Sequence, residues 1–181
     1  TKTVQKPVWI SNPFSQQLVH KLRSKEHAIL VGTNTVIDDN PKLNVRNWSG
    51  NHPIRIVLDR SLRISAAATI LDGSFKTIVF TEKQKYPFEC RSEIYLEHID
   101  FSKNVALQIC DVLQKHKIQS VIIEGGSQTL QTFIDAKLWD EAHVYIGDVS
   151  FNDGVKAPRL VSKTITETRI GNDLLKTYTN D

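Results

Sequence analysis

The hydrophobic pattern of this chain changes period within a few residues at one place. Residues 120–123, Ser-Val-Ile-Ile, form a β-branched run without polar alternation. This pattern predicts a strand covered on both faces of a parallel sheet and placed centrally in it. Leu130, Phe133, Ile134 and Leu138 then recur at helical spacing. Glu124, Gly125, Gly126 and Ser127 stand between the two periods, so a strand, a glycine turn and a helix start are adjacent. Glycines allow a tight turn and leave the first helical amides aimed at whatever anion lies above the sheet edge. A plain connection capped by Ser127 has the same signature, and Gly-Gly-Ser alone does not separate the two readings.

Earlier in the chain, residues 13–25 read as a helix with Ser11 or Asn12 capping and Pro13 in the first turn. Its expected buried stripe is Phe14, Leu18, Val19 and Leu22, with Gln16, Gln17, Lys21 and Arg23 on or beside the polar face. Residues 28–31 form a buried strand, and Gly32-Thr33-Asn34-Thr35 at its carboxyl end is an expected ligand edge. Asp38-Asp39-Asn40-Pro41 closes a short helical or irregular piece. Strands follow at 54–58, with alternating character and ending at Asp59, and at 77–80 and 93–96, while residues 60–75 are irregular. Residues 104–115 predict a helix with Val105, Ile109, Val112 and Leu113 inward. After a strand at 142–146, residues 163–170 and 174–179 flank Gly171-Asn172-Asp173 as a hairpin. Together these elements predict an α/β domain with a mixed, mostly parallel sheet closed by an antiparallel edge.

Composition narrows the class. With 181 residues and 40% hydrophobic content, one domain spanning 1–181 is expected. No apolar run approaches a membrane span, residues 1–7 lack a signal-peptide core, and Cys90 and Cys110 make no framework. A soluble protein of the reducing cytoplasm is therefore the expectation. The chain contains no Met and begins on Thr, which suggests a piece of a longer product.

The net charge of +3 is uneven, with ten Lys and Arg against four Asp and Glu among residues 1–63. Such a basic third suits an anionic small ligand or a nucleic acid. The cations are dispersed, and Trp9, Phe14 and Trp48 are the only aromatics in that third, which disfavours a nucleic-acid module. The six histidines and two cysteines show no zinc-ligand spacing, and Gly-x-Ser-x-Gly and the phosphate-loop signature are absent.

The runs Trp9-Ile10-Ser11-Asn12-Pro13, Leu22-Arg23-Ser24, 27–36, Asp39-Asn40-Pro41-x-Leu43-x-Val45-Arg46, Pro53-x-Arg55-Ile56-Val57-x-Asp59, Ile123-Glu124-Gly125-Gly126 and Gly171-Asn172-Asp173-Leu174 follow in order. In these residues the chain resembles the reductase domain of the bifunctional riboflavin-biosynthesis deaminase/reductase, over nearly its whole length. The resemblance implies a dihydrofolate-reductase-like three-layer fold, a homodimer, and a zinc deaminase domain upstream in the parent chain. It further implies NADPH as cofactor and a phosphorylated aminopyrimidine substrate, 5-amino-6-(5-phosphoribosylamino)uracil, whose ribosyl group is reduced. A related reductase of another pyrimidine or pteridine is the alternative. By position, Trp9, Thr35, Asp39 and the segment Gly126, Ser127, Gln128, Thr129, Leu130, Gln131 and Thr132 correspond to cofactor contacts, with Asp39 also the catalytic candidate. Arg23, Leu43, Arg46 and Glu124 correspond to substrate contacts.

The residue chemistry agrees in kind: guanidinium groups grip phosphate bidentately, and a carboxylate accepts from a pyrimidine N–H or amine. Arg60, just past the strand at 54–58, is expected to meet the 2′-phosphate of NADPH. Seen alone, Arg23 is also a solvated helix cation, Glu124 a structural ion-pair member and Asp39 a turn residue. The chain departs from the family pattern at Pro7, where a Ser is common, and at Asn40, where a second Asp is common. The family's opening strand is missing as well.

Overall fold

The computed structural model describes residues 10–86, 91–149, 154–162 and 164–180. Expectations at Pro7, Trp9 and Cys90 lie outside the described residues. In chain order the elements are α1 (Pro13–Arg23), β1 (Ala28–Gly32), α2 (Thr33–Asp39), β2 (Ile54–Leu58), a 3₁₀ turn (Thr69–Leu71), β3 (Thr77–Thr81), β4 (Ile94–His98), α3 (Val105–Lys115), β5 (Val121–Gly125), α4 (Ser127–Asp135), β6 (Glu141–Ile146), β7 (Thr164–Ile170) and β8 (Asp173–Thr179).

Five strands make a wholly parallel sheet in the order β4-β3-β2-β1-β5. Alternate side chains of its inner strands enter two cores. Ala28, Leu30, Ile56, Ile78 and Phe80 pack with Ile109, Val112, Leu113 and Phe133 of α3 and α4. On the opposite face Ile29, Val31, Val57 and Val79 meet Val36, Ile64, Ile70 and Leu71 from α2 and the irregular segment after β2. The three-layer α/β reading therefore holds. Each fully buried aliphatic side chain stabilises such a core by about 1.5–3 kcal/mol.

Three expectations need correction. β5 is an edge strand of this sheet, not a central one. Val121 and Ile123 face one core and Ile122 the other. Burial of the faces makes a run apolar, whereas the side on which a strand lacks a hydrogen-bonding neighbour leaves no mark on its side chains. The hairpin, in turn, does not close the parallel sheet: β7 and β8 join β6 in a separate antiparallel sheet of order β6-β8-β7. Gly171, at φ +60°, occupies the first position of the two-residue turn between them, where the tight hairpin turns need a positive φ.

The third correction concerns α1. Phe14 is 66% exposed, and the fully buried residues of this helix are the polar Ser15 and His20. Leu18, Val19 and Leu22 of the expected stripe are half-buried, and Leu18 and Leu22 share a shallow pocket with Tyr145 and Leu175 of the antiparallel sheet, so the expectation fails at Phe14.

Arg55, the polar position of an apparently alternating strand, is 1% exposed. Its guanidinium donates to Thr77 Oγ1, Asp72 Oδ1 and the carbonyls of Thr69 and Phe75. A buried cation satisfied in this way orders the loop between β2 and β3.

Candidate functional site

The chain leaves β1 toward β2 on one side and returns on the other as β5, so the strand order reverses between β1 and β5. Ligands of open α/β sheets gather at the carboxyl ends flanking such a point. Here α2 begins directly after β1 and α4 one residue after β5. The two turns interlock through small residues. A Cβ on Gly32 would stand 2.5 Å from Thr129 Oγ1 of α4, and one on Gly125 would stand 2.8 Å from Thr35 Cγ2 of α2. A side chain at either position would force these threonines to shift.

Gly126, at φ +83°, is the N-cap of α4, and no side chain caps that helix. The amides of its first turn are therefore open to an anion, which a helix N-terminus favours by roughly 0.3–1 kcal/mol. Ser127 lies in the first helical position rather than capping it. Of the segment 126–132, Thr129 faces the reversal point beside Gly32 and Gly126, while Gln128 is exposed and Leu130 half-buried. Gln131 accepts from the Arg159 amide and donates to Asp135, and Thr132 donates to the Gln128 carbonyl.

On the β5 side of this point the register with β1 shifts between Leu30 and Val31, which leaves Glu124 as the extra residue of a bulge. A bulge re-aims a side chain. Glu124 turns to Arg23 at the end of α1, which binds it through two parallel bonds, Nε to Oε1 at 2.7 Å and Nη2 to Oε2 at 2.5 Å. Both side chains are about 15% exposed, so the pair is largely desolvated. Burial, and then the Glu124 carboxylate, push the Tyr145 phenol of β6 upward.

Arg23 Nη1 also donates to the Asn44 carbonyl at 3.3 Å, joining the pair to the loop after α2. In that loop Leu43 is buried at φ +52°, and Arg46 is exposed with Nη1 on Asn44 Oδ1 at 2.9 Å. Asp39 is exposed in the last turn of α2. Asn40 closes that helix in the left-handed conformation at φ 42° and accepts from the Thr69 amide, a role that Asn fills more readily than most residues.

The remaining cations divide. Arg60 follows β2, one strand away from the reversal point, and its Nε donates to Glu82 at 2.9 Å. Arg63, which the sequence did not single out, reaches α2 itself through Nη2 to Asn34 Oδ1 at 2.6 Å. Among the described residues no group of three or more His, Cys, Asp and Glu side chains could hold a metal ion.

Residues 1–177 match the model of the RibD C-terminal domain family. This chain belongs to that family. Among the relatives of this RibD C-terminal domain is the "Riboflavin biosynthesis protein RibD" of Aquifex aeolicus, 31% identical over 161 residues, which are 88% of this chain and 45% of that protein. The "5-amino-6-(5-phosphoribosylamino)uracil reductase" of Buchnera aphidicola is 26% identical over 152 residues, covering 76% of this chain and 73% of its own length. The crystal structure of a Thermotoga maritima diaminohydroxyphosphoribosylaminopyrimidine deaminase/5-amino-6-(5-phosphoribosylamino)uracil reductase superposes with a TM-score of 0.81 at 26% identity, over 94% of this chain and 50% of that one. The RibD C-terminal domain described here thus spans about half the length of the RibD proteins it matches. No helix among the described residues is long and apolar enough to cross a membrane.

Proposed function

We propose that this chain is an NADPH-dependent reductase that converts the ribosyl group of 5-amino-6-(5-phosphoribosylamino)uracil to a ribityl group. The observation that carries the reading is the uncapped start of α4 at a strand-order reversal, set beside a desolvated Arg23–Glu124 pair. The residues present fit a dinucleotide. Gly126 offers backbone without a side chain, and Thr35 Oγ1 lies 3.5 Å from where a Cβ on that glycine would stand.

When bound, the nicotinamide supplies a hydride. The amides of Ser127, Gln128 and Thr129 receive the pyrophosphate, and Thr35 orients it from α2. Asp39 accepts from cofactor hydroxyls and is the catalytic candidate, while Trp9 completes the cofactor contacts. Reducing a ribosyl to a ribityl group adds a hydride to the anomeric carbon and a proton to the ring oxygen, so positioning is the protein's main contribution.

Arg23 and Arg46 divide the substrate work. Because the fork of Arg23 is closed on Glu124, the pair presents an oriented carboxylate to pyrimidine N–H groups. The exposed guanidinium of Arg46 takes the phosphate, with Leu43 shaping the loop beneath. Arg60 or Arg63 meets the 2′-phosphate. A homodimer in the cytoplasm and a zinc deaminase domain upstream in the parent chain belong to the same reading.

The test is cofactor oxidation with the aminopyrimidine substrate present and absent, using NADPH and NADH in parallel. Substrate-dependent oxidation that favours NADPH is expected. Oxidation that ignores the substrate, or equal use of both cofactors, overturns the corresponding part.

A further inference from the structure

The loop that carries Leu43 and Arg46 has no regular secondary structure, so its backbone N–H groups find no ladder to join. Two consecutive amides are nevertheless satisfied, one by a histidine at the end of the same connection and one by a histidine of α1. Val45 N–H donates to His52 Nδ1 at 3.1 Å, and Arg46 N–H donates to His20 Nδ1 at 3.2 Å. We propose that His20 and His52 are positioning residues of the substrate loop, two neutral imidazoles that clamp its backbone and hold Arg46 in place for the substrate phosphate. This rests on the reading of residues 43–46 as substrate-binding.

The geometry dictates the protonation state. A backbone amide can only donate, so each Nδ1 must carry a lone pair, and each ring's proton resides on Nε2. His20 is held to that state by its surroundings. It is 5% exposed on α1; burial first, then the charges of Arg23 on the same helix and Arg46 on the loop, bring its pKa down to about 4 against an ordinary 6.5, with the Asn44 backbone acting in the opposite direction. Glu124 on β5 has both carboxylate oxygens engaged by Arg23. His52, in the turn before β2, stacks at a tilt on Phe75 with ring centroids 4.7 Å apart.

The loop shows why it needs clamping. Leu43 holds a positive φ of 52°, a conformation that costs a residue with a Cβ on the order of 1 kcal/mol and persists only where the surroundings over-determine it. The side chains of Leu43 and Val45 are buried beneath the loop. Arg23 takes the Asn44 carbonyl, and the two histidines take the next two amides. With its backbone fixed at three successive residues, the Arg46 guanidinium has only its own side-chain freedom left to lose on gripping a phosphate.

The experiment uses the full-length parent chain and four variants: His20→Ala, His20→Asn, His52→Ala and His52→Asn. Asparagine places its Oδ1 near the position of Nδ1 and so keeps an acceptor. The clamp itself is read without substrate, from ¹⁵N shifts of the imidazole nitrogens and from hydrogen exchange of the Val45 and Arg46 amides. An unprotonated Nδ1 in both rings, protected amides, and loss of protection at Val45 in His52→Ala and at Arg46 in His20→Ala are expected. Rapid exchange in the parent protein, or protection that survives both alanine variants, overturns the clamp.

Substrate kinetics supply the second arm, with each variant's melting temperature recorded beside them. His52→Ala, which alters an exposed ring, should raise the substrate KM several-fold while kcat and NADPH affinity stay within about twofold. His52→Asn should recover most of the loss, and failure to recover overturns the hydrogen-bond role in favour of ring packing. In the parent protein the substrate KM should rise as pH falls toward 4 more steeply than in His20→Asn, which cannot titrate there. If the amides are clamped and released as expected but the substrate KM never moves, the clamp stands as structure and the assignment of the loop to substrate is wrong.

Discussion

Gly126 combines a conformational demand with a steric one. Its φ of +83° suits a residue without a Cβ, and an added Cβ would stand 3.1 Å from Thr129 Oγ1. Gly126→Ala should cost roughly 1–2 kcal/mol in a denaturant titration and weaken NADPH binding in the same sample. A branched residue such as valine should cost more on both counts. Arg46→Ala should raise the substrate KM by roughly tenfold, as expected for one charge-assisted hydrogen-bonding group, with NADPH affinity unmoved in a separate titration. Arg46→Lys should already lose part of that affinity, because a point charge cannot make two parallel bonds. The glycines were legible in the sequence because a turn between two periods advertises itself. His20 and His52 were not, since a side chain that accepts a backbone N–H of an irregular loop leaves no spacing pattern. The pairing of Arg23 with Glu124 was equally hidden, because it depends on a bulge that shifts one strand register.

Helix capping separates two elements that look alike in sequence. Asn104 caps α3 through one bond, from the Leu107 amide. Asn12 caps α1 through bonds from the Phe14 and Ser15 amides, while its own Nδ2 donates to the Ile170 carbonyl and its backbone N–H to the buried Asp173. It joins the first helix to the hairpin at the far end of the chain. Asn104→Ala should therefore cost about 1 kcal/mol, whereas Asn12→Ala should cost about twice that, measured by urea unfolding of both variants. Strong periodicity made most elements readable: β1, β2, β3 and α3 lie within about two residues of their expected bounds. What stayed unreadable were relations between elements. Phe14 sits at a core-like spacing yet is exposed, while the polar Ser15 and His20 of the same helix are buried. The hairpin was visible as a hairpin and β6 as a strand, and only their pairing in a separate sheet was not.

Across the whole molecule, acid should lower stability in two separate pH windows. His20 has a pKa of about 4 when folded against an ordinary 6.5. Between those values the unfolded chain binds the extra proton, so stability rises with pH through that window and is fully present above it. The contribution is on the order of 1–2 kcal/mol once solvent screening of the two arginines is allowed for. Burial pushes the Asp72 carboxyl up, but bonds from Ser74 and Arg55 outweigh it and hold its pKa at about 2 against an ordinary 3.8. Its stabilisation is present above that ordinary value and is lost as pH falls toward 2. Melting curves of the parent and His20→Asn between pH 7 and 3 should diverge only across the histidine window; a constant offset would show that the ring stabilises by packing alone.

The edge position of β5 also bears on the order in which the molecule is made. Leu30 of β1 pairs with Ile123 across roughly 90 residues of chain, whereas β1, β2, β3 and β4 follow one another closely. Loop closure on that scale is the slowest pairing in the sheet. A growing chain therefore holds a four-stranded sheet whose β1 edge waits, hydrogen-bonding groups bare, until the strand bearing Glu124, Gly125 and Gly126 emerges to cover it. Competence to bind ligand and protection from aggregation thus arrive in a single event.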